Sequence, residues 1–282
     1  MTVAEREDLL TLPKLRAVQL LEAIAGDQSD QSDGYIEVRF LPPIPGAQNQ
    51  RFFCVSDPGS LLDAVDLAST TTDAQTGVYV GAALRVLDES GELGGTAQHV
   101  ERCHVLLADL DDDEALDAYS RLVQEAILPL ATFIVESGGV TTTERPKLHV
   151  YWALSQGVEP ELSRTAKRRI AAALGSDSAV ADPARVMRMP CSRHVKEHGG
   201  TGREVRVTDA QPKRRYALDD VVSRLPGAGI PNSARDFRRW RRDGSCRRAS
   251  HHGRQCRRSS PLSRNRRGGD TRGASRPEHR CV

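Results

Sequence analysis

The sequence predicts an α/β (α+β) chain, a domain of mixed β-sheets flanked by helices that is followed by a disordered basic tail. Three observations carry this. Apolar residues recur at helical spacing in some segments and at alternate positions in others, and the two kinds of segment interleave. Glycines such as Gly26 and Gly175 stand where helical stretches stop. Charge also divides along the chain: residues 231–282 hold 16 Arg, no Lys and 4 acids, which leaves 24 basic and 34 acidic residues, a net of about −10, for residues 1–230.

In chain order, LLTLPKLRAVQLLEAIAG places Leu15, Val18, Leu21 and Ile24 on one helical face and closes at Gly26. YIEVRFLPP alternates as a strand, and RFFCV is its hairpin partner across a turn containing Pro and Gly. PGSLLDAVDLAS reads as a second helix, and TGVYVGAALRVL as a β-rich run leading to Arg85. A loop and strand, GGTAQHVERCHVLLADLD, precede the helix DEALDAYSRLVQEAI, whose acidic first turn suits the helix dipole. LATFIVESGG and KLHVYWAL are strands around an irregular loop. EPELSRTAKRRIAAALG then places Leu162, Ala166, Ile170 and Ala173 on one helical face before Gly175. Three segments result: a helical segment 1–34, a domain 35–226 and an Arg-rich tail 227–282.

The tail has almost no Ile, Leu or Val, so it lacks the apolar surface to offset chain entropy. Two readings stay open for it: a basic arm for nucleic-acid phosphates, or a GC-rich reading frame translated out of register. Its Cys246, His251, His252 and Cys256 lack the second paired spacing of a zinc knuckle. No apolar run approaches the roughly 18 to 20 residues of a membrane span, and MTVAEREDLL has no basic-then-apolar signal pattern. A cytoplasmic protein with no membrane partner is expected. The six cysteines carry no CxxC pair and read as reduced thiols.

Three stretches carry chemistry. In VLLADLDDD, Asp109 and Asp111 stand at alternate positions at the end of an apolar strand, so both side chains point to one face. Two such carboxylates repel unless a cation lies between them, and hard oxygen ligands suit Mg2+ or Mn2+. Asp112, Asp113 and Glu114 are explained equally well as the start of a helix. In SGGVTTTERPKLHVYW, the N–H groups of Ser137, Gly138 and Gly139 suit an anion, although a simple turn explains the glycines too. His149 follows there on a strand, where a hydrogen-bonded structural histidine is the plain alternative. In ALGSDSAVADPARVMRMPCSRHVK, Asp177 and Asp182 precede a cluster of Arg185, Arg188, Arg193 and Lys196, either a phosphate-neutralising set or a solvated basic face. Together the three supply metal ligands, an anion cradle and counter-charges for a leaving pyrophosphate, the parts of a nucleotidyl transferase.

These residues resemble the archaeo-eukaryotic-type primase-polymerases, in particular the RepB-like and bifunctional primase-polymerase branch of plasmids, phages and integrated elements. The resemblance runs from YIEVRF and TGVYVGAALR through VLLADLD, SGG…LHVYW and D…RVMRMP…K to the helix RRYALDDVVSRLP, most of residues 35–226. It implies a primase-polymerase catalytic domain and a DNA primase or polymerase activity. Asp109 and Asp111 fill the metal motif, and Asp177, with Asp182 as the alternative, supplies the third metal carboxylate. His149 and the Ser137–Gly138 turn bind the incoming nucleotide, as do Arg188 and Lys196. Mg2+ or Mn2+, a single-stranded DNA template, nucleoside triphosphates and a separate helicase are the implied cofactor and partners.

The chain departs from the pattern in two places. VTTTERPKL is inserted before His149, and RMPCSRHVK replaces a Gly by Cys191 and an Asn by His194. Three rival readings remain: a replication-initiation protein that binds DNA without catalysis, a decayed and truncated primase, or a metal-dependent nuclease. A rolling-circle relaxase is disfavoured, because LHVYW supplies one histidine where paired histidines separated by one apolar residue are needed. The net of about −10 on residues 1–230 suits DNA only if charge is segregated to one face.

Overall fold

A computed structural model describes residues 11–26, 34–41, 49–71, 76–195 and 202–226. Lys196 and the expected tail 227–282 lie outside these residues. Contacts divide the chain into a unit Met1–Phe237 and a unit Arg238–Val282, and every described residue belongs to the first.

The elements follow the periodicities. Helix α1 (Leu12–Ala25) has Pro at its start and Gly26 at its end. At φ 79° Gly26 adopts a conformation open mainly to glycine, and a Cβ there would meet the His104 ring at 2.2 Å. The buried stripe of α1 is Ala17, Leu20, Leu21 and Ile24, with Leu15 and Val18 only half buried. It turns this way because α1 packs against several elements at once, namely β1, β4, β8 and helix α2, whose ranges follow. Strands β1 (Tyr35–Leu41) and β2 (Gln50–Cys54) pair antiparallel as the expected hairpin. Helix α2 (Ser60–Thr70) leads to β3 (Gly77–Gly81). Strand β4 (Cys103–Leu110), buried along its whole length, runs into helix α3 (Asp113–Gln124). Asp112 caps α3 by accepting from Ala115 N–H at 2.7 Å, which explains the later acids of VLLADLDDD as a helix start. Strands β5 (Phe133–Val140) and β6 (Pro146–Val158) precede helix α4 (Pro160–Leu174), which ends in a left-handed Gly175. A 3-10 turn (Ser178–Ala181), β7 (Val186–Arg188), β8 (Arg206–Ala210) and the short helix α5 (Leu218–Val222) complete the unit.

The fold class is the expected α+β, with two four-stranded sheets ordered β2-β1-β3-β7 and β4-β6-β5-β8. Every pairing between these strands is antiparallel, and the only parallel bridge among the described residues joins Leu154 to Tyr216. Strand alternation assigns the faces of the second sheet. Leu106, Ala108, Leu110, Val150 and Trp152 form one core with α3, α4 and α5. Val105, Leu107, Tyr151, Ala153, Phe133 and Val135 form the other, between the two sheets. Continuing the second series by two residues on β4 and β6 reaches Asp109 and His149. The apolar layer between the sheets therefore turns polar at one end, and the candidate site lies there.

A buried ion network stiffens the first sheet beside that end. Glu37 and Arg85 are both 0% exposed, and Arg85 Nε donates to Glu37 Oε2 at 2.8 Å. The same guanidinium donates to the carbonyls of Pro183 and Ala184, while Arg39 and Gln50 complete the shell of Glu37. Arg85, the residue to which the β-rich run pointed, thus holds the chain just ahead of Arg185.

Candidate active site

A cleft of about 460 Å3 opens where the sheets diverge, lined by Asp109, Asp111, Ser137, Gly139, Lys147, His149, Tyr79, Arg185, Arg188 and His194 among others. Register explains the convergence. Asp109 on β4 faces His149 on β6, which faces Val135 on β5, and Ser137 lies two residues further on. From the first sheet, Tyr79 on β3 pairs with Arg188 on β7. The Arg188 guanidinium lies 5.4 Å from the centre of the Tyr79 ring, and its Nη1 donates to the Tyr79 hydroxyl at 3.2 Å.

The two acids repel one another, and their environments differ. Asp109 is 8% exposed and its Oδ1 has no hydrogen-bond partner, the His149 Nε2 standing 3.6 Å away. Burial, then the charge of Asp111, pushes the Asp109 carboxyl up to about 7, with Arg185 acting in the opposite sense. Asp111 is more open, and Lys147 Nζ lies 3.4 Å from its Oδ1. An orphaned buried carboxylate oxygen beside a second carboxylate fits a hard divalent cation. His149 is buried, and burial together with Arg188, Arg185 and His194 pulls its imidazole down to about 3, so it is neutral at physiological pH.

The remaining expected residues are placed as follows. Asp177 caps the 3-10 turn by accepting from Ala179 N–H at 2.8 Å, and its Oδ2 is 3.6 Å from Arg185. Its charge is felt at Asp109, yet it does not line the cleft. Asp182 accepts from Ala184 N–H and also lies off the cleft. Among the described residues, no three His, Cys, Asp or Glu side chains are grouped so as to hold a metal. Ser137 lines the cleft, whereas Gly138 does not. At φ 78° Gly138 faces a second cavity with Arg203 and Arg206, and a Cβ there would stand 2.5 Å from His194 Cβ. Cys191, which replaces the glycine of the pattern, adopts φ 66° nonetheless.

Sequence reasoning did not assign Tyr79, Lys147 or His194 to the nucleotide, and it offered Arg185 only within a basic cluster. One of these had a signal in hand: Lys147 stands two residues before His149 on the same strand, hence on the same face. The inserted VTTTERPKL forms the end of the β5–β6 hairpin, where Val140 pairs with Pro146 after a register shift beyond Glu136. Thr141, Thr142 and Thr143 all donate to the Asp113 carboxylate, and Arg145 Nη1 donates to Asp117 at 2.7 Å. The insertion is clamped to the start of α3.

No protein family matches the sequence by profile, and no curated protein matches it. Among solved structures, the chain is similar to the AEP domain of the cyanophage S-2L primase-polymerase (PrimPol), at TM-score 0.51 and 17% identity over 76% of this chain and 98% of that one. It is also similar to the primase RepB′, at TM-score 0.54 and 15% identity over 84% of this chain and 68% of that one. No helix among the described residues is long and apolar enough to cross a membrane. Two antiparallel sheets flanked by helices, with acids and bases gathered where the sheets part, make this the fold of an archaeo-eukaryotic-type primase-polymerase catalytic domain.

Proposed function

We propose that the chain is a DNA primase-polymerase of a plasmid, phage or integrated element, adding nucleotides to DNA on a single-stranded template. The observation that carries this reading is the buried Asp109 beside Asp111, facing Lys147, Arg185, Arg188 and His194 across one cleft. Asp109 and Asp111 would hold Mg2+ or Mn2+, with Asp177 the third carboxylate. The cation, when bound, supplies Lewis-acid activation of the attacking hydroxyl and of the triphosphate. The primer 3′ hydroxyl would give its proton to solvent water as its oxygen forms a bond to the α-phosphorus, while the bond from that phosphorus to the bridging oxygen breaks and pyrophosphate leaves. Arg185, Arg188 and Lys147 neutralise the charge that moves onto the leaving group. His149, neutral and buried, orients a phosphate oxygen without adding charge. Tyr79, fixed by Arg188, forms the wall of the cleft against the sugar and base.

The test is primer synthesis and primer extension on single-stranded DNA by the full chain, with Mg2+ or Mn2+ and both ribo- and deoxynucleotides. Product that disappears in Asp109→Ala and Asp111→Ala variants, each shown to be folded by circular dichroism, supports the reading. One observation favours a second reading, a DNA-binding initiation protein without catalysis: the Asp177 carboxylate is engaged by Ala179 and Arg185. Salt-sensitive DNA binding without any product would select it.

A further inference from the structure

We propose that Lys147 occupies the cation position at Asp111 when the cleft is empty, and so couples the entry of the divalent ion to the entry of the polyphosphate. The inference rests on the reading above that the cleft takes both. Three features of the structure carry it. The Lys147 ammonium stands 3.4 Å from Asp111 Oδ1, in a cleft where Asp109 Oδ1 has no hydrogen-bond partner. Its backbone cannot follow a ligand, because Thr141, Thr142 and Thr143 hold the hairpin tip to Asp113 and Arg145 holds it to Asp117. Its stem crosses Gly139, where a Cβ would lie 2.8 Å from Lys147 Cδ, so the glycine leaves the groove in which the side chain runs. Only the end of a flexible four-carbon arm is left to move, and it has two anionic partners within reach: the Asp111 carboxylate and a polyphosphate in the same cleft.

The consequences follow from charge alone. A divalent ion arriving by itself at Asp111 must displace an ammonium from one of its ligand oxygens, which weakens its binding. A polyphosphate arriving by itself must draw Lys147 away from Asp111, leaving that acid without its ion-pair partner. Arriving together, each removes the obstacle to the other: the phosphate takes the ammonium, and the ion takes the carboxylates. By linkage the assistance is reciprocal.

The experiment measures both partners separately on the full chain. Mn2+ binding without nucleotide is followed by the electron paramagnetic resonance of free Mn2+. Binding of a fluorescent nucleoside triphosphate is followed in EDTA. Lys147→Met is expected to bind Mn2+ about fivefold more tightly than the wild type and the triphosphate about fivefold more weakly, while Lys147→Arg stays close to wild type in both. The opposite signs are diagnostic, since a merely damaged cleft would weaken both. Unchanged or weaker Mn2+ binding in Lys147→Met, unchanged triphosphate binding, or no Mn2+ binding by any of the three proteins would overturn the proposal. Primer extension run in parallel separates the two readings: product without the opposite shifts sinks only the coupling, and the shifts without product sink only the polymerase.

Discussion

Replacing Asp109 by Asn should stabilise the metal-free protein above neutral pH. The carboxyl is buried, and its folded value of about 7 stands well above the ordinary 3.8. For an acid raised in this way the folded state holds its proton more tightly than the unfolded state does. Below pH 3.8 the group is protonated in both states and costs nothing. The cost grows between 3.8 and about 7, where only the unfolded chain ionises readily, and it is complete above that. At about 1.4 kcal/mol per pH unit the full penalty is about 4 kcal/mol, of which about 3 kcal/mol develops between pH 5 and pH 8. Urea denaturation in EDTA at those two pH values, wild type against Asp109→Asn, reads this directly. The wild type should lose about 3 kcal/mol more than the variant on going to pH 8, and Mn2+ should restore stability to the wild type alone. Parallel pH dependences in the two proteins would refute the reasoning, because the penalty would then not reside in Asp109.

Two further outcomes test neighbouring parts. Arg85→Met leaves the wholly buried Glu37 without its main counter-ion and should cost about 3 to 5 kcal/mol by urea denaturation, partly recovered in the Glu37→Gln/Arg85→Met double variant. Equal stabilities of the single and double variants would count against the pair as the cause. The His149 imidazole, pulled down to about 3, should show no titration between pH 5 and 8 by nuclear magnetic resonance. Because the unfolded chain takes up that proton below about 6.5, His149 removes stability as the pH falls from there towards 3. A His149 midpoint near 6 would contradict the burial that places it in the site.

Much of the architecture is written in local pattern. Alternation along YIEVRF and the short apolar runs of VLLADL and LHVYW specify strands, and the helix at Pro160–Leu174 ends at the Gly175 that the sequence marks. A period of two also put Asp109 and Asp111 on one face, and both line the cleft. The insertion before His149 was opaque for the opposite reason: VTTTERPKL has no period of its own. Its order comes from Asp113 and Asp117, acids on a helix about 28 residues earlier whose hydrogen bonds hold the hairpin tip.

The amino-acid sequence by itself determined the element types, the charge division between body and tail, and the paired acids at the end of β4, since each depends on residues within a few positions of one another. The tertiary structure alone decided which distant groups share the cleft. It brought Tyr79, Lys147, Arg185 and His194 to the acids, turned Gly138 towards a second cavity and engaged Asp177 with Arg185. The physical reason is that local periods assign each side chain to a face, whereas sheet order and register, fixed by burial across the whole unit, choose what that face meets.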